Sequence, residues 1–598
     1  MKGFVRGTMA IMTASALVGC VRGAAPSAVA PGSGKRVEGQ RGMVAASHPD
    51  ATAAGVEVLR AGGNAVDAAV ATAFALGVTD VSQTGLGGGG AMTFYRADTR
   101  RAEHLSFYPR AGEDPLWAQP DTARGARRPG RAAGIPGQVA GLLEAQQRFG
   151  KLTRAQVMAP AIRLAREGFI VSPLLSRTIA SSKDKMQADS LAMARFMPRG
   201  EALRPGERLV QPELAATLDR IAAEGAKAFY TGAIAERLSA KVKAQGGLIT
   251  VKDMNTYAAQ AMRPLCTEWR GYTVLGAPPP MGGSAVLQML QMAEQSGIAN
   301  AGGFTEQPEA VVKLADVLRI AGVDANRFRG DPFVQSVPAR GVASAGFAAA
   351  RVQRMGATAP DSIAVGDAWA FDSAAAPGSC APLEPYAPAT RSARAGAGGR
   401  NEAAAGGAVQ EVVEAVDPYT GSYTSHLAVV DADGNAVSAT TTVGVLFGSG
   451  VYTDGFFLNS AGSNFDARTR GTNRYANSTM SPTIILDHGA VRLVVGAAGS
   501  QYIQPAITQV TLRMLAFGED PAIALAAPRI YASAGLKDVE VEPGFATSVY
   551  QGLVAHGYRP QSRVADITFG GVHAIFVRKN GTRIGVADPR RDGAAGGN

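Results

Sequence analysis

A threonine hydroxyl attacks a carbonyl only when a base removes its proton. The nearest base it can have is its own α-amine, whose reference pKa of about 7.7 to 8.0 suits neutral pH. That amine is free only if the chain is cut immediately before the residue. Thr424 is placed for this: it begins TSHLAVVDADGNAVSATTT (424–442), shortly after residues 374–408, which are mostly Ala, Gly and Pro. Cleavage there would put nucleophile and base on one residue, with no need of a separate His or Asp. An oxyanion needs donors, and Gly499-Ser500, where GAAGSQYIQPAITQVTLRML (496–515) opens into a helix, offers unpaired backbone N–H groups. Taken alone, Thr-Ser-His is equally an ordinary strand start, with His426 a packed or exposed strand residue. No HExxH, GxSxG or Walker A motif competes in the body of the chain, and nothing requires a metal or an organic cofactor. Cys266 and Cys380 are too few for a disulfide scaffold and too far apart for a zinc site, and whether they pair stays open.

The elements that must hold these residues follow from pattern. Alternating β-branched residues at 426–430 and 436–442 flank DADGN and predict a hairpin. Residues 483–486 and 491–495 around DHG, and 572–577 and 582–586 around KNG, predict two more. Earlier, His48-Pro49-Asp50 caps a predicted helix over 51–60 that stops at Gly62-Gly63, and 67–76 reads as a helix apolar on every side, hence buried. The glycines Gly87 to Gly90 lead into a strand. Without GxGxxG spacing or a P-loop Lys, they predict a backbone that closely approaches a neighbour or ligand other than a nucleotide. PPPMGG (278–283) predicts a rigid turn beside a helix in a largely helical region, 138–294. Hairpins against helices predict an α+β layered fold. Residues 374–408 cannot bury enough apolar surface to offset their ordering entropy, and are expected to be a mobile boundary between two portions.

With 598 residues and 46% apolar composition the chain supports a large core. Its formal charge of +10 is scattered, not gathered into a stripe with aromatics, which argues against a nucleic-acid partner. Lys2 and Arg6 precede a small, apolar run to Val18, and Leu17-Val18-Gly19-Cys20 resembles a bacterial lipobox. This predicts a lipoprotein signal peptide over 1–20, lipidation of Cys20 and a flexible tether over 21–42. Val21, in place of Asp, points to a periplasmic protein anchored to the outer membrane of a Gram-negative bacterium. An ordinary signal peptide with an incidental Cys20 is the alternative.

The chain resembles the γ-glutamyltransferase (γ-glutamyltranspeptidase) family of N-terminal-nucleophile hydrolases. Matching stretches are GGNAVDAAVA at Gly62, GLGGGGAM at Gly85, GIPGQVAGL at Gly134, PPPMGG at Pro278, TSHLAVVDADGNAVSATTT at Thr424, FGSGV at Phe447, MSPTI at Met480 and DPRRDG at Asp588. The resemblance implies a four-layer αββα sandwich and a precursor that cleaves itself between Tyr423 and Thr424. A large subunit (43–423) and a small catalytic subunit (424–598) would remain together. It implies that Thr442 hydrogen-bonds the nucleophile, that Gly499 and Ser500 form the oxyanion hole, that Arg110 grips a substrate carboxylate and that Ser478 and Thr479 assist it. The implied substrate is a small amide or peptide of glutathione type.

Departures from the family pattern bear on that substrate. An Asn normally found two residues after Thr442 is Gly444, and the segment that should hold the glutamyl ammonium reads Leu458-Asn459-Ser460-Ala461-Gly462-Ser463-Asn464-Phe465, with Asn464 in place of an aspartate. The segment from Phe465 to Ser478 is also shorter than in lid-bearing members, which implies an open site. The expectation is an enzyme cleaving γ-glutamyl or related carboxylated acyl amides, with a glutaryl-type, cephalosporin-acylase-like preference as one alternative. A catalytically silent lipoprotein scaffold is another.

Overall fold

The buried helix expected from Asp67 forms over Ala65–Thr79, every residue of it buried, and starts at a capping box in which Asn64 and Asp67 satisfy each other's backbone N–H groups. It belongs to a computed structural model that describes residues 1, 35–120, 128–373, 377–380, 383, 422–465, 470–567 and 569–598. The expected signal peptide beyond Met1, Cys20, the tether up to residue 34 and most of 374–408 lie outside the described residues.

Two seven-stranded antiparallel sheets form the centre. One runs in the order Ala594–Gly597, Met43–Ala46, Ser422–Val430, Ala436–Val445, Gly89–Arg96, Arg101–Phe107, Gln260–Met262. The other runs Lys35–Gly39, Arg583–Ala587, Gly571–Val577, Ala490–Ala498, Thr483–Asp487, Tyr272–Gly276, Leu265–Trp269. The sheets pack face to face, with Pro49–Arg60 and Ala65–Thr79 outside the first and Gly283–Gln295 and Ile503–Thr511 outside the second. This is the four-layer αββα sandwich. All three predicted hairpins are present, because each is closed by a short polar turn between β-branched arms. A small sheet of Ile530–Ala532, Asp538–Val541 and Arg559–Ser562 lies apart from them.

Two expectations are corrected. Lys35–Gly39, assigned to the tether, is an edge strand paired with Arg583–Ala587. Val37 turns inward onto the inter-sheet core while Arg36 and Glu38 face water, an alternation too short to stand out in sequence. Within the stretch expected to be mobile, Gly378–Cys380 forms a short turn pinned by a Cys266–Cys380 disulfide, which also answers the open question of pairing.

Candidate active site

Thr424 sits inside the strand Ser422–Val430, 3% exposed, with the chain continuous through Tyr423. Tyr423 pairs with Gly444 and Ser425 with Thr441, so Thr424 alone faces both Thr442 and Val443: a β-bulge on the partner strand lies opposite Thr424. Gly444 ends the bulge at φ +93°, a left-handed conformation that suits glycine. The bulge aims the Thr442 hydroxyl at the peptide bond between Tyr423 and Thr424. Thr442 Oγ1 donates to the Tyr423 carbonyl at 2.5 Å and accepts from the Gly444 N–H at 2.7 Å. Thr442 was expected on the nucleophile's hydroxyl; in the continuous chain it holds the carbonyl that this hydroxyl would attack.

Gly87 to Gly90 run beside this bulge. A Cβ on Gly88 would stand 2.3 Å from the Thr442 carbonyl oxygen and one on Gly87 2.2 Å from that of Phe457, so the four-glycine run serves close backbone packing.

Gly499 and Ser500 follow the strand Ala490–Ala498, and the turn that begins at Ser500 packs against the nucleophile strand. Ser500 lies at φ +52°, uncommon for a residue with a side chain. As the first residue of the turn its N–H takes no part in the turn's own hydrogen bonds. Thr479 Oγ1 donates to the Ser500 carbonyl at 2.8 Å, so Thr479 braces the oxyanion turn.

Arg110 is 2% exposed and fixed at its backbone by pairing with Ile135 and Tyr475. Its Nη2 donates to Thr256 Oγ1 at 2.7 Å and its Nε has no partner. Among the described residues no carboxylate pairs with it. A buried guanidinium in that condition is a site for an anion supplied from outside. Ser478 lies across from it on a segment stitched to the PPPMGG loop, with Ser478 N donating to Pro280 O and Gly282 N to Met480 O, both at 3.0 Å.

Tyr108, which motif reading passed over, joins the two sides. Asn464 Nδ2 donates to its hydroxyl at 2.7 Å and Ser478 bonds it as well, while burial pushes the phenol up to about 12. Its place two residues before Arg110 was the available signal. With Nδ2 also 3.3 Å from Asn477 O, the Asn464 amide group is turned into the protein. Asn459 is spent on structure, its amide bridging the backbones of Gly87 and Gly134. Ser460 Oγ accepts from Val445 N at 3.1 Å and occupies the space beside Gly444 where a side chain would go. His426 is packed between the sheets, bonded to Thr440 Oγ1 at 2.8 Å and kept neutral by burial. Residues 466–469 of the expected open segment lie outside the described residues.

The family model for gamma-glutamyltranspeptidase matches residues 51–598. A glutathione hydrolase proenzyme of Bacillus subtilis is 32% identical over 577 residues, covering 93% of this chain and 91% of the relative. An acylase ACY 1 proenzyme of a Pseudomonas species is 33% identical over 581 residues, covering 94% of each. The crystal structure of a cephalosporin acylase from Bacillus halodurans superimposes with a TM-score of 0.78 at 26% identity, covering 96% of this chain and 99% of that one.

Proposed function

Because the chain belongs to the γ-glutamyltranspeptidase family of N-terminal-nucleophile hydrolases, we propose that it is a self-processing amidohydrolase and acyltransferase working through an acyl-Thr424 intermediate. The observation that carries this is the Thr442 hydroxyl on the Tyr423 carbonyl at 2.5 Å, which polarises the bond in front of the nucleophile.

In maturation the Thr424 hydroxyl adds to the Tyr423 carbonyl carbon and its proton passes to the departing amide nitrogen. The C–N bond breaks and an ester joins Tyr423 to Thr424 Oγ1. Water hydrolyses that ester, leaving a carboxylate on Tyr423 and a free amine and hydroxyl on Thr424. In turnover the amine takes the hydroxyl proton as Oγ1 attacks the substrate amide, and gives it to the departing amine. The N–H groups of Gly499 and Ser500 hold the oxyanion. Water or an acceptor amine then cleaves the acyl ester.

Arg110 selects acyl groups that carry a carboxylate. Among the described residues at the positions expected to hold it, an α-ammonium beside that carboxylate finds no anion: Gly444 has no side chain, Ser460 is bound to backbone and Asn464 is neutral. Hydrogen bonds to charged groups contribute about 1.5 to 3 kcal/mol each, so losing one lowers γ-glutamyl turnover by about ten- to 150-fold. The preferred donor is therefore a carboxylated acyl amide without the amine, such as a glutaryl amide. Comparing kcat/KM for glutaryl-p-nitroanilide and γ-glutamyl-p-nitroanilide tests this. A ratio favouring glutaryl supports it, and a strong γ-glutamyl preference returns the reading to glutathione-type peptides. Intact mass decides the more basic point: two fragments, the smaller starting at Thr424, support the hydrolase, while a single uncut chain favours the silent scaffold.

Export with a lipid on Cys20 completes the proposal. The Cys266–Cys380 disulfide supports an oxidising compartment such as the periplasm. Fatty-acid labelling in the native host that is lost in Cys20→Ser would support the anchor, and unlabelled wild type would remove it.

A further inference from the structure

Beside Thr424, around the side chain of Ser425, lies a polar cluster that the mechanism above does not use. The loop that leaves the helix Ala65–Thr79 contributes Asp80 and Gln83, and the segment before the last strand contributes Arg591. Ser425 Oγ donates to Asp80 Oδ2 at 2.5 Å and Gln83 Nε2 donates to Asp80 Oδ1 at 2.7 Å. Arg591 Nη1 donates to the Gln83 side-chain oxygen and, at 3.1 Å, to the carbonyl of Thr424 itself. Its Nη2 donates to Ile567 O at 2.7 Å. The same loop grips the bulge, since Gln83 O accepts from Val443 N at 2.9 Å and Ser82 O from Phe447 N at 2.7 Å. Asp80, Gln83, Ser425 and Arg591 are all buried.

These contacts take on weight once the Tyr423–Thr424 bond is broken. Thr424 then becomes a chain end, and the pairing of Tyr423 with Gly444 no longer holds it. The strand pairing from Ser425 onward remains, and the Arg591 bond to the Thr424 carbonyl and the Ser425–Asp80 bond one residue on add side-chain contacts that hold Thr424 in register with Thr442. Arg591 also brings a positive charge onto the residue that will carry the new amine, through its bond to the Thr424 carbonyl. Its own burial is opposed first by the charge of Asp80, while Asp588 is tied up with Arg529 and Arg590. Asp592 is the other charged group acting on Asp80.

Resting on the reading of Thr424 as nucleophile, we propose that Asp80, Gln83 and Arg591 are positioning residues that hold Thr424 in register through cleavage and balance the charge beside its amine. Burial raises the Asp80 carboxyl to about 7, with Ser425, Arg591 and Gln83 pulling the other way, so the balance changes within the working range. When Asp80 is neutral, Arg591 loses the first of the charges that offset its burial, with Asp588 and Asp566 remaining, and disfavours the ammonium more strongly, which lowers the amine pKa. When Asp80 is ionised, the amine pKa is higher.

The test uses the full chain and whichever p-nitroanilide the wild type turns over faster. Asp80→Asn is expected to mature more slowly by intact mass and to lose at least tenfold in kcat with KM within twofold. The acid limb of its kcat/KM profile should move down by about one pH unit. Ser425→Ala, a milder change should Asp80→Asn fail to fold, weakens the hold on the ionised carboxylate and should move the limb the same way by less. Ser425→Thr should restore the wild-type profile. Variants that mature normally with an unmoved limb, or that lose only thermal stability, overturn the brace while leaving the nucleophile in place. An uncut wild-type chain overturns both.

Discussion

Where Arg110 lies, no carboxylate among the described residues cancels its charge: backbone pairing fixes it, Thr256 takes one nitrogen, and Nε has no partner. Where Asn464 lies, no charge is presented and the donors are taken up by the protein, Nδ2 by Tyr108 and Asn477, while the Ser460 hydroxyl accepts from Val445. One side of the site holds a charge whose desolvation is offset only when a ligand arrives, and the other presents neutral groups that lose nothing when empty. On the proposed reading, recognition is kept for the carboxylate and let go for the amine, while Thr424, Thr442 and the Gly499-Ser500 turn remain together. A protein that had lost catalysis would have no reason to divide its binding groups in this way.

The sharpest way to break the comparison is Arg110→Met. A carboxylate held by two charge-assisted hydrogen bonds loses about 1.5 to 3 kcal/mol for each, so kcat/KM for any carboxylated amide should fall by about 10² to 10⁴. Because no carboxylate among the described residues is orphaned, the melting temperature should hold and self-cleavage should proceed. Equal loss on an uncharged acyl amide would show that Arg110 supports the fold instead. Asn464→Asp tests the other side. Its new carboxylate should raise the ratio of γ-glutamyl to glutaryl kcat/KM by about ten- to 150-fold, and an unmoved ratio would mean that the ammonium sits elsewhere. Tyr108→Phe removes the hydroxyl that holds Asn464 and Ser478 and should cost about 1 kcal/mol, near fivefold in kcat/KM, on both substrates alike. A change confined to one substrate would assign Tyr108 to that side alone.

How far sequence carried the argument depends on the range of the interactions. Thr424 at a strand start, the three hairpins and the all-apolar helix at Ala65–Thr79 are local patterns, readable from alternation and turn residues. The family resemblance pointed to Arg110, Ser478 and the Gly499-Ser500 turn, which lie outside the matching stretches. What sequence could not reveal is made by contacts between distant segments. Lys35–Gly39 becomes a strand only because Arg583–Ala587, near the other end of the chain, offers it an edge. Tyr108 matters because Asn464 and Ser478 fold back onto it. Asp80, Gln83 and Arg591 converge from opposite ends of the sequence, and the bulge opposite Thr424 lies inside a run whose alternation looks regular. Asn459 shows the converse: a polar residue inside a family motif that is wholly occupied with backbone.

The smallest effect is expected where the amine side was closed by steric replacement. Gly444→Asn restores the family residue type, and Asn tolerates a left-handed backbone better than most, so φ +93° alone does not forbid it. Space does: a Cβ at 444 would lie 2.2 Å from Ser460 Oγ, whereas the next atom, Ser460 Cβ, is an ordinary 3.4 Å away. In an Asn464→Asp background, Gly444→Asn by itself should therefore gain nothing and lose stability. Combined with Ser460→Ala it should raise the γ-glutamyl to glutaryl ratio a further few-fold, limited by the Val445 N–H left without its acceptor. Coupling in the double-mutant cycle is the quantity to measure. Additive changes would mean that Ser460 does not occupy the lost side chain's place, and that the amine side was given up at Asn464 alone.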